Sequence, residues 1–393
     1  MNDNKKAYIS KVHLKGYKSI RDLEIDFKPG LNVIIGPNGS GKTNFFEFLE
    51  IASYNSFLEK DFEATIQAHD YDNALRELKW GGRSTENDAN QKYNFYYTSI
   101  HKLNQNIVYQ SKWRTFLDNR IIEAPYEQEG NIFDTFFVSS FRPTFVYYGL
   151  PNNYTQFLTE PAKIKFQKRE REVVWSHFHE GLQSLSRFIV ISSASNFRDK
   201  EKLENIDDAL NIEGIKSVLN SFTPIKDISF DKKRIVRYQE QDVVTFDNIL
   251  LKFFINNEWC YWNQLSDGTK RLFYLITTIY FSINYSIIEG SIFIEEPELG
   301  IHPDQLYLLM QFLKEEAEDK QIIITTHSPE VLNILKTDEL DRVIITNFDH
   351  EKGTQMHKLS EKQLKKGQKY MQTTGFLSNY WVHSNLEEID ETN

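Results

Sequence analysis

The first fifty residues carry the sequence patterns of two half-buried strands and one fully buried strand. The segment "YISKVHLKGYKSIRDLEIDFKPGLNVIIG", from Tyr8, predicts three short strands, because polar and apolar residues alternate in the first two and the third is the apolar run "LNVII". Pro29 and Gly30 mark the turn before the third strand. The aromatic run "NFFEFLEI" that follows a glycine-rich loop suits a helix that enters a core.

Four further apolar runs occur in the last third of the chain. "SIFIEEPE" and "QIIITTHSPE" predict strands that end in polar residues, as expected of a parallel sheet whose functional groups lie at the carboxyl ends of its strands. "RVIITNFD" and "TQMHKLS" predict two strands that close the sheet. The pattern predicts an α/β fold.

The middle of the chain has a different character. "KYNFYYTSI", "IVYQSKWRTFL" and "FFVSSFRPTFVYYG" predict antiparallel strands, and residues 165–188 predict one long helix that returns to the body. We therefore expect a discontinuous main domain, residues 1–54 and 187–393. We expect an inserted aromatic-rich lobe of strands plus a helix at residues 55–186.

Composition narrows the class of protein. The single cysteine, Cys260, allows no internal disulfide, and the N-terminal segment has no apolar signal core, so we expect a cytoplasmic protein. The run "LFYLITTIYFSINYSII" is short for a membrane span and carries polar residues, so a buried helix is the better interpretation and no membrane partner is expected.

The net charge of −10 argues against a protein coated in nucleic acid over its whole surface. Local basic clusters remain, and each is either a solvated face or a contact surface. The clusters are Lys163, Lys165, Lys168, Arg169 and Arg171; Lys232, Lys233, Arg234 and Arg237; and Lys362, Lys365, Lys366 and Lys369.

The loop after the third strand carries the first chemical motif. "GPNGSGKT" matches the spacing of a phosphate-binding loop, in which glycines let backbone N–H groups face phosphate oxygens and the next helix adds its dipole. Lys42 suits the β- and γ-phosphates of ATP, and the Thr43 hydroxyl suits Mg²⁺. The candidate ATP contacts are Gly36, Pro37, Asn38, Gly39, Ser40, Gly41, Lys42, Thr43 and Asn44.

Two later strand ends carry candidate catalytic groups. Glu295 and Glu296 end an apolar strand, where two adjacent acids are costly without charge partners. We expect Glu295 to hold Mg²⁺ and Glu296 to polarise the attacking water. His327 ends the next strand, where it could contact the γ-phosphate and respond to its loss.

A second anion site is expected at "LSDGTKRLFYL". Ser266 and Gly268 lie where an apolar helix begins, and a helix N-terminus favours anions. One chain does not need two such sites for one nucleotide. The economical interpretation is that this site of one subunit covers the γ-phosphate held by the loop of another.

Together, "GPNGSGKT", "LSDGTKR", "IFIEEPE" and "TTHS" occur in the order of the ABC-type ATPase heads. The chain resembles the RecF/SMC-like branch of these P-loop AAA family ATPases, and most of all the ATPase domain of the OLD-like (overcoming lysogenization defect) proteins. The resemblance implies a head-to-head homodimer or higher oligomer with two shared ATP sites. Lys42, Thr43, Glu295, Glu296 and His327 would act within one subunit, and Ser266 and Gly268 across to the other.

The sequence differs from the motifs of the family at several positions. Asp267, Thr269 and Lys270 replace the later letters of the usual LSGGQ signature, and Glu295 stands where the family usually has Asp. The family's glutamine at the Mg²⁺ site is hard to place, with Gln67 as one candidate. His302 falls where such heads have a loop that touches the partner subunit.

The chain shows no nuclease motif, although OLD proteins often carry a C-terminal Toprim nuclease. We therefore expect no nuclease activity in this chain. Stand-alone ATPases of this kind resemble the ATPase subunits of anti-phage systems such as Septu, PARIS and AbiL, which implies a separate effector protein, a nuclease or a toxin.

A RecF-like ATPase that binds DNA in repair or replication is the alternative function. A transporter ATPase fits the large insertion and divergent signature poorly.

Overall fold

The structure is a computed structural model of the chain. It describes residues 7–53, 61–69, 74–84, 95–115, 127–130, 144–146, 162–168, 173–175, 213–230, 235–239, 243–284 and 291–383.

Among the described elements, three strands and one helix come first, a long run of strands follows, and helices and strands are mixed in the rest of the chain. The first part contains β1 (Tyr8–Tyr17), β2 (Ile20–Asp26), β3 (Leu31–Ile35), α1 (Lys42–Ser53), β4 (Phe62–His69), β5 (Leu75–Ser84), β6 (Phe95–Leu103), β7 (Asn106–Thr115), β8 (Glu127–Gly130) and β9 (Thr144–Val146). The middle part contains β10 (Ala162–Lys168), β11 (Val173–Trp175), α2 (Glu213–Phe222), β12 (Asp227–Phe230), β13 (Ile235–Gln239), β14 (Val243–Ile249), β15 (Leu251–Ile255), β16 (Glu258–Tyr261) and α3 (Asp267–Asn284). The last part contains β17 (Ile292–Glu295), α4 (Pro303–Glu316), β18 (Ile322–Thr326), β19 (Val343–Asp349), β20 (Gly353–Lys358), α5 (Glu361–Thr374) and α6 (Leu377–His383), with short 3-10 helices at Trp262–Gln264, Pro329–Ile334 and Leu340–Arg342.

The chain divides into two compact units. The first comprises Met1–Val146, Ile287–Pro297 and Leu313–Asn393, and the second comprises Tyr147–Ser286 and Glu298–Phe312. The predicted boundaries at residues 54/55 and 186/187 stay a prediction.

The first unit is built on a sheet whose described strands follow the order β8-β7-β6-β5-β4-β1-β2-β20-β19-β3-β18-β17-β9. Its centre is parallel: β3 pairs with both β18 and β19, and β18 pairs with β17. All five residues of β3 and of β18 are buried, as expected of strands covered on both faces. The predicted parallel centre is confirmed, and the two closing strands are β19 and β20.

One side of this sheet is antiparallel. β4 pairs with β1, and β5, β6 and β7 continue outward in sequence order. The predicted antiparallel strands β6 and β7 are confirmed. The third predicted strand is different: its described part is β9, which pairs in parallel with β17.

An aromatic core joins α1 to the antiparallel strands. Phe45 and Phe48 of α1 are fully buried, and Phe48 lies 5.9 Å from Trp80 of β5 between ring centroids. Trp80 meets Phe62 of β4 edge-on at 4.6 Å. Burial of aromatic side chains of this size supplies much of a core's stability, so the helix that follows the phosphate loop is firmly anchored.

The second unit contains two smaller sheets, ordered β11-β10-β14-β13 and β12-β15-β16. The predicted long helix at residues 165–188 is wrong for its described part, because Ala162–Lys168 and Val173–Trp175 are paired strands. In "AKIKFQK" the apolar residues recur at every second position, which is a strand period. Residues 176–188 lie outside the described residues.

The described part of the apolar run, residues 272–284, lies in α3, where Leu272, Phe273 and Leu275 are fully buried. Phe273 packs edge-on against Phe253 of β15 at 5.1 Å between ring centroids. Among the described residues, no helix is long and apolar enough to cross a membrane. The prediction of a buried helix is confirmed.

Candidate functional site

Three neighbouring parallel strands of the first unit end at one edge of the sheet. The glycine-rich loop follows β3, Glu295 is the last residue of β17, and His327 follows β18. Glu295 pairs with Thr325, and Thr326 pairs with Ile35, so the three strands are in register where they end. The carboxyl ends of parallel strands are the usual place for ligands in such sheets.

The loop is shaped by its glycines. Gly39 and Gly41 have φ angles of +80° and +100°, which side chains rarely adopt. A Cβ on Gly36 would lie 2.0 Å from the carbonyl oxygen of Thr346. α1 begins at Lys42, so its free N–H groups and positive dipole end face the loop.

Lys42 is held inside the loop. Its side chain is buried, and its Nζ donates hydrogen bonds to the carbonyl oxygens of Gly36 at 2.7 Å and Pro37 at 2.9 Å. The buried Ser40 hydroxyl has no hydrogen-bond partner among the described residues. Pro37, Asn38 and Gly39 are exposed and form the outer rim. A buried ammonium beside an unused hydroxyl fits a phosphate group.

Thr43 and Glu295 are brought together although they are far apart in sequence. The Thr43 Oγ1 donates to Glu295 Oε1 at 2.5 Å. Two oxygen groups suit Mg²⁺, which takes few protein ligands and completes its shell with phosphate oxygens and water. The described residues hold no cluster of three or more His, Cys, Asp or Glu side chains that would make a dedicated metal cage. The donor set therefore fits Mg²⁺ bound together with a nucleotide.

Glu296 has an unusual backbone. Its φ is +44°, the left-handed region, which costs a residue with a side chain about 1–2 kcal/mol. Its N–H donates to the Thr325 carbonyl at 2.8 Å, which fixes this conformation. The Glu296 Oε1 lies 3.4 Å from Nδ1 of His327. Strain of this kind concentrates at functional sites, and here it directs a carboxylate toward a histidine.

The conformation of the loop is also supported by Thr354, a residue that belongs to none of the sequence motifs. Thr354 of β20 fills the space beside Gly41, where an added Cβ would lie 2.0 Å from Thr354 Oγ1. That hydroxyl lies 2.7 Å from Ser19 Oγ, which accepts a hydrogen bond from Asn44 Nδ2 at 2.7 Å. The chain of contacts ties the turn between β1 and β2, helix α1 and strand β20 to the loop. No local motif marks Thr354, since Ser19 is 335 residues away from it.

The second predicted anion site lies in the second unit. The Ser266 hydroxyl accepts a hydrogen bond from the Thr269 N–H at 3.2 Å, which caps the N-terminus of α3. A Cβ on Gly268 would lie 3.1 Å from the carbonyl oxygen of Gly300, so bulk is restricted there. His302 is exposed and lies 3.7 Å from Asp304. Asp267 is fully solvated and pairs with Lys270 at 3.2 Å.

Gln67, the candidate for the Mg²⁺-site glutamine, is not brought to this edge. It lies on β4, which four strands separate from β3 in the sheet. Its Nε2 donates to Glu77 Oε2 at 3.0 Å. Burial would raise the pKa of Glu77, but hydrogen bonds from Gln67 and Lys102 together with the charge of Lys79 lower it. Gln67 therefore belongs to an ion-pair group on the outer strands.

Comparison with known proteins gives one family match. The protein family described as "AAA domain, putative AbiEii toxin, Type IV TA system" matches residues 31–333, which is more than half of the chain. The matched range contains the glycine-rich loop, Ser266, the two glutamates and His327.

Among curated proteins, the Septu protein PtuA of Bacillus thuringiensis is 23% identical over 343 residues, which cover 84% of this chain and 74% of that protein. The DNA replication and repair protein RecF of Desulfitobacterium hafniense is 50% identical over 36 residues, 9% of this chain and 10% of that protein. Among solved structures, an SMC head bound to the C-winged helix domain of ScpA has a TM-score of 0.50 at 15% identity and covers 91% of this chain and 99% of that one. At 15% identity, the similarity to the SMC head shows a shared fold and not a shared activity.

Proposed function

The chain belongs to this AAA-domain family and is an ABC-type ATPase, and from that premise we propose that two copies close head to head over two ATP molecules and control a separate effector protein. The observation that carries the proposal is the convergence of Lys42, the Thr43–Glu295 pair and the Glu296–His327 pair at adjacent strand ends. The roles of these residues are part of the proposal.

In the proposed site, the loop binds the phosphates of ATP. Lys42 exchanges its bonds to two loop carbonyls for phosphate oxygens, so the ammonium is already placed before the nucleotide arrives. Ser40 and the N–H groups at the start of α1 supply further donors. The Thr354 contact keeps the backbone at Gly41 in the conformation that binding needs.

Thr43 and Glu295 would hold Mg²⁺. Bound Mg²⁺ would neutralise charge that develops on the phosphoryl oxygens. Glu295 is longer by one methylene than the aspartate usual at this position, and its carboxylate already reaches Thr43. The two side chains could therefore share one ion without movement of α1 or β17.

Glu296 would orient the attacking water and accept its proton. A carboxylate in this role needs a fixed direction, which its left-handed backbone and the bond to Thr325 supply. His327 Nδ1 lies 3.4 Å from Oε1 of the same carboxylate, and His327 would contact the γ-phosphate. Loss of that phosphate would change the position of His327 and report the state of the nucleotide.

Ser266 and Gly268 would complete the site of the second subunit. The N-terminus of α3, capped by Ser266, offers N–H groups to the γ-phosphate across the dimer. Gly268 is partly exposed and has no side chain, which allows close approach of the phosphate. Because each site needs both chains, ATP binding and dimer closure would be coupled.

Control of a separate effector is supported by the similarity to PtuA, a Septu protein, over most of both chains. The test is co-expression of this chain with its flanking reading frames, followed by mass photometry with and without ATP. A discrete stoichiometric complex with a neighbouring product is expected. A chain that purifies alone and binds none of these products contradicts the proposed effector.

A further inference from the structure

Four lysines form a continuous stripe on helix α5. The α5 lysine stripe comprises Lys362, Lys365, Lys366 and Lys369, all exposed. Their spacing of three, four and seven residues places them on one helical face. The buried Gly367 and the partly buried Leu364 and Met371 face the protein. At about 1.5 Å per residue, four positive charges lie within roughly 10 Å.

The helix that carries the stripe is fixed in place. Ser360 and Gln363 form a capping box, in which Gln363 N–H donates to Ser360 Oγ at 3.3 Å and Ser360 N–H donates to Gln363 Oε1 at 2.8 Å. Gln368 Nε2 donates to the Thr337 carbonyl oxygen at 3.1 Å, which ties the middle of α5 to the segment that precedes β19. The lysines are therefore presented on a rigid support.

The stripe is a local excess of positive charge on a chain with a net charge of −10. Glu361 is the one acidic residue in the sequence of α5, and it lies 4.0 Å from Lys365 with both side chains largely exposed. Like charges at this spacing destabilise a helix slightly. A polyanion placed along the stripe would remove that repulsion.

We propose that the α5 lysine stripe is a docking surface for the phosphate backbone of duplex DNA. Lysine is a flexible point charge that suits phosphates, whereas protein interfaces are depleted in lysine. Tyr370, the one aromatic residue in the sequence of α5, packs against Tyr380 at 5.1 Å between ring centroids, so it is not the stacking platform that single strands use. The four charges lie along one straight helical face, which matches the regular row of phosphates that duplex DNA presents.

The proposed contact is independent of base sequence. Phosphate contacts position a protein on DNA without reading its bases. About six phosphate charges lie along 10 Å of duplex, at roughly one per 1.7 Å, so four lysines can each find a partner. Each lysine–phosphate contact releases counterions, so the interaction is expected to be strongest at low salt, although the net negative charge of the chain opposes it at long range. It requires no effector and does not rest on the proposed function.

The test measures DNA binding by the full chain as a function of salt. A labelled 30-base-pair duplex of mixed sequence is titrated between about 25 and 200 mM KCl, with and without ATP. The stripe variant changes all four lysines to glutamine. The control variant makes the same change at four exposed lysines elsewhere, Lys28, Lys79, Lys226 and Lys352. Both variants are first checked for an unchanged unfolding temperature and basal ATPase rate.

The stripe variant is expected to bind at least about tenfold more weakly at 50 mM KCl, and its slope of log K against log salt to fall by about 3 to 4. The control should match the unmodified chain. Absence of binding at low salt with and without ATP, or equal loss in both variants, overturns the proposal. Competition by polyglutamate or duplex RNA as strong as that by DNA also overturns it, in favour of an acidic protein or RNA partner.

Discussion

Individual residues decide whether the phosphate loop can form. Gly39 and Gly41 share a positive φ, yet their surroundings differ: nothing lies within 4 Å of a Cβ on Gly39, whereas a Cβ on Gly41 meets Thr354 at 2.0 Å. The sequence motif treats the two glycines alike. The structure separates a residue needed for its backbone angle from one needed also for its lack of volume.

Gly41→Ala is therefore expected to weaken ATP binding more than Gly39→Ala. The Gly39 variant bears only the cost of a left-handed alanine, about 1–2 kcal/mol, or roughly tenfold in affinity. The Gly41 variant must also displace Thr354 from its contact with Ser19, so a loss above about a hundredfold is expected. Calorimetric titration with ATP measures both. Equal losses in the two variants would show that Thr354 does not shape the loop.

Glu296→Gln tests the proposed base. The amide keeps the size of the side chain and removes its ability to accept a proton, so turnover should fall by about 10³ while ATP affinity stays nearly unchanged. Phosphate release and equilibrium ATP binding are measured on the same preparation. Glu24→Gln, an exposed acid on β2, is the control. Hydrolysis at the unmodified rate by the Glu296 variant would refute the assignment.

At the scale of elements, α4 is tied to the segment that follows His327. Lys314 donates to the Ile334 carbonyl oxygen at 2.7 Å and to Glu339 Oε2 at 2.6 Å. Burial would raise the pKa of Glu339, but hydrogen bonds from Lys314 and the Lys336 N–H, with the charge of Lys314, lower it. The ion pair thus helps to position the segment that follows His327.

This pair predicts a pH dependence of stability. A carboxylate whose pKa is lower in the folded state stabilises the fold above its ordinary pKa, and that contribution is lost as pH falls through the lowered value. Glu339→Gln should reduce the free energy of unfolding by about 2 kcal/mol at pH 7, and the difference should shrink as the pH falls below the ordinary pKa of a glutamate. Urea unfolding at pH 7 and in acid measures it, with the exposed Glu318→Gln as control. A difference that persists in acid would argue against an ionic contribution.

The elements at the centre of the sheet are predictable because their signal is local. β3, β17 and β18 are short apolar runs followed by polar motifs, and each is recognisable from its own residues. The pairing of β4 with β1, and the support of Gly41 by Thr354, depend on contacts between distant segments and have no local signal. The charged residues of β10 mask its two-residue apolar period, which is why the sequence favours a helix there.

At the scale of the whole molecule, the loop and the signature segment lie in different compact units of one chain. The loop, Glu295, Glu296 and His327 belong to the first unit, and Ser266 and Gly268 to the second. The proposed dimer gives both parts a common ligand. It would also explain why the sequence predicts two anion sites in one chain.

The most direct test mixes two inactive variants, Lys42→Ala and Ser266→Arg. The first lacks a working loop and the second a working signature, so only a mixed dimer contains one complete site. If the sites are shared between subunits, the mixture should regain about a quarter of the unmodified ATPase rate, because about half of random dimers are mixed and each has one of two sites. A mixture that stays as inactive as either variant alone would contradict the shared site.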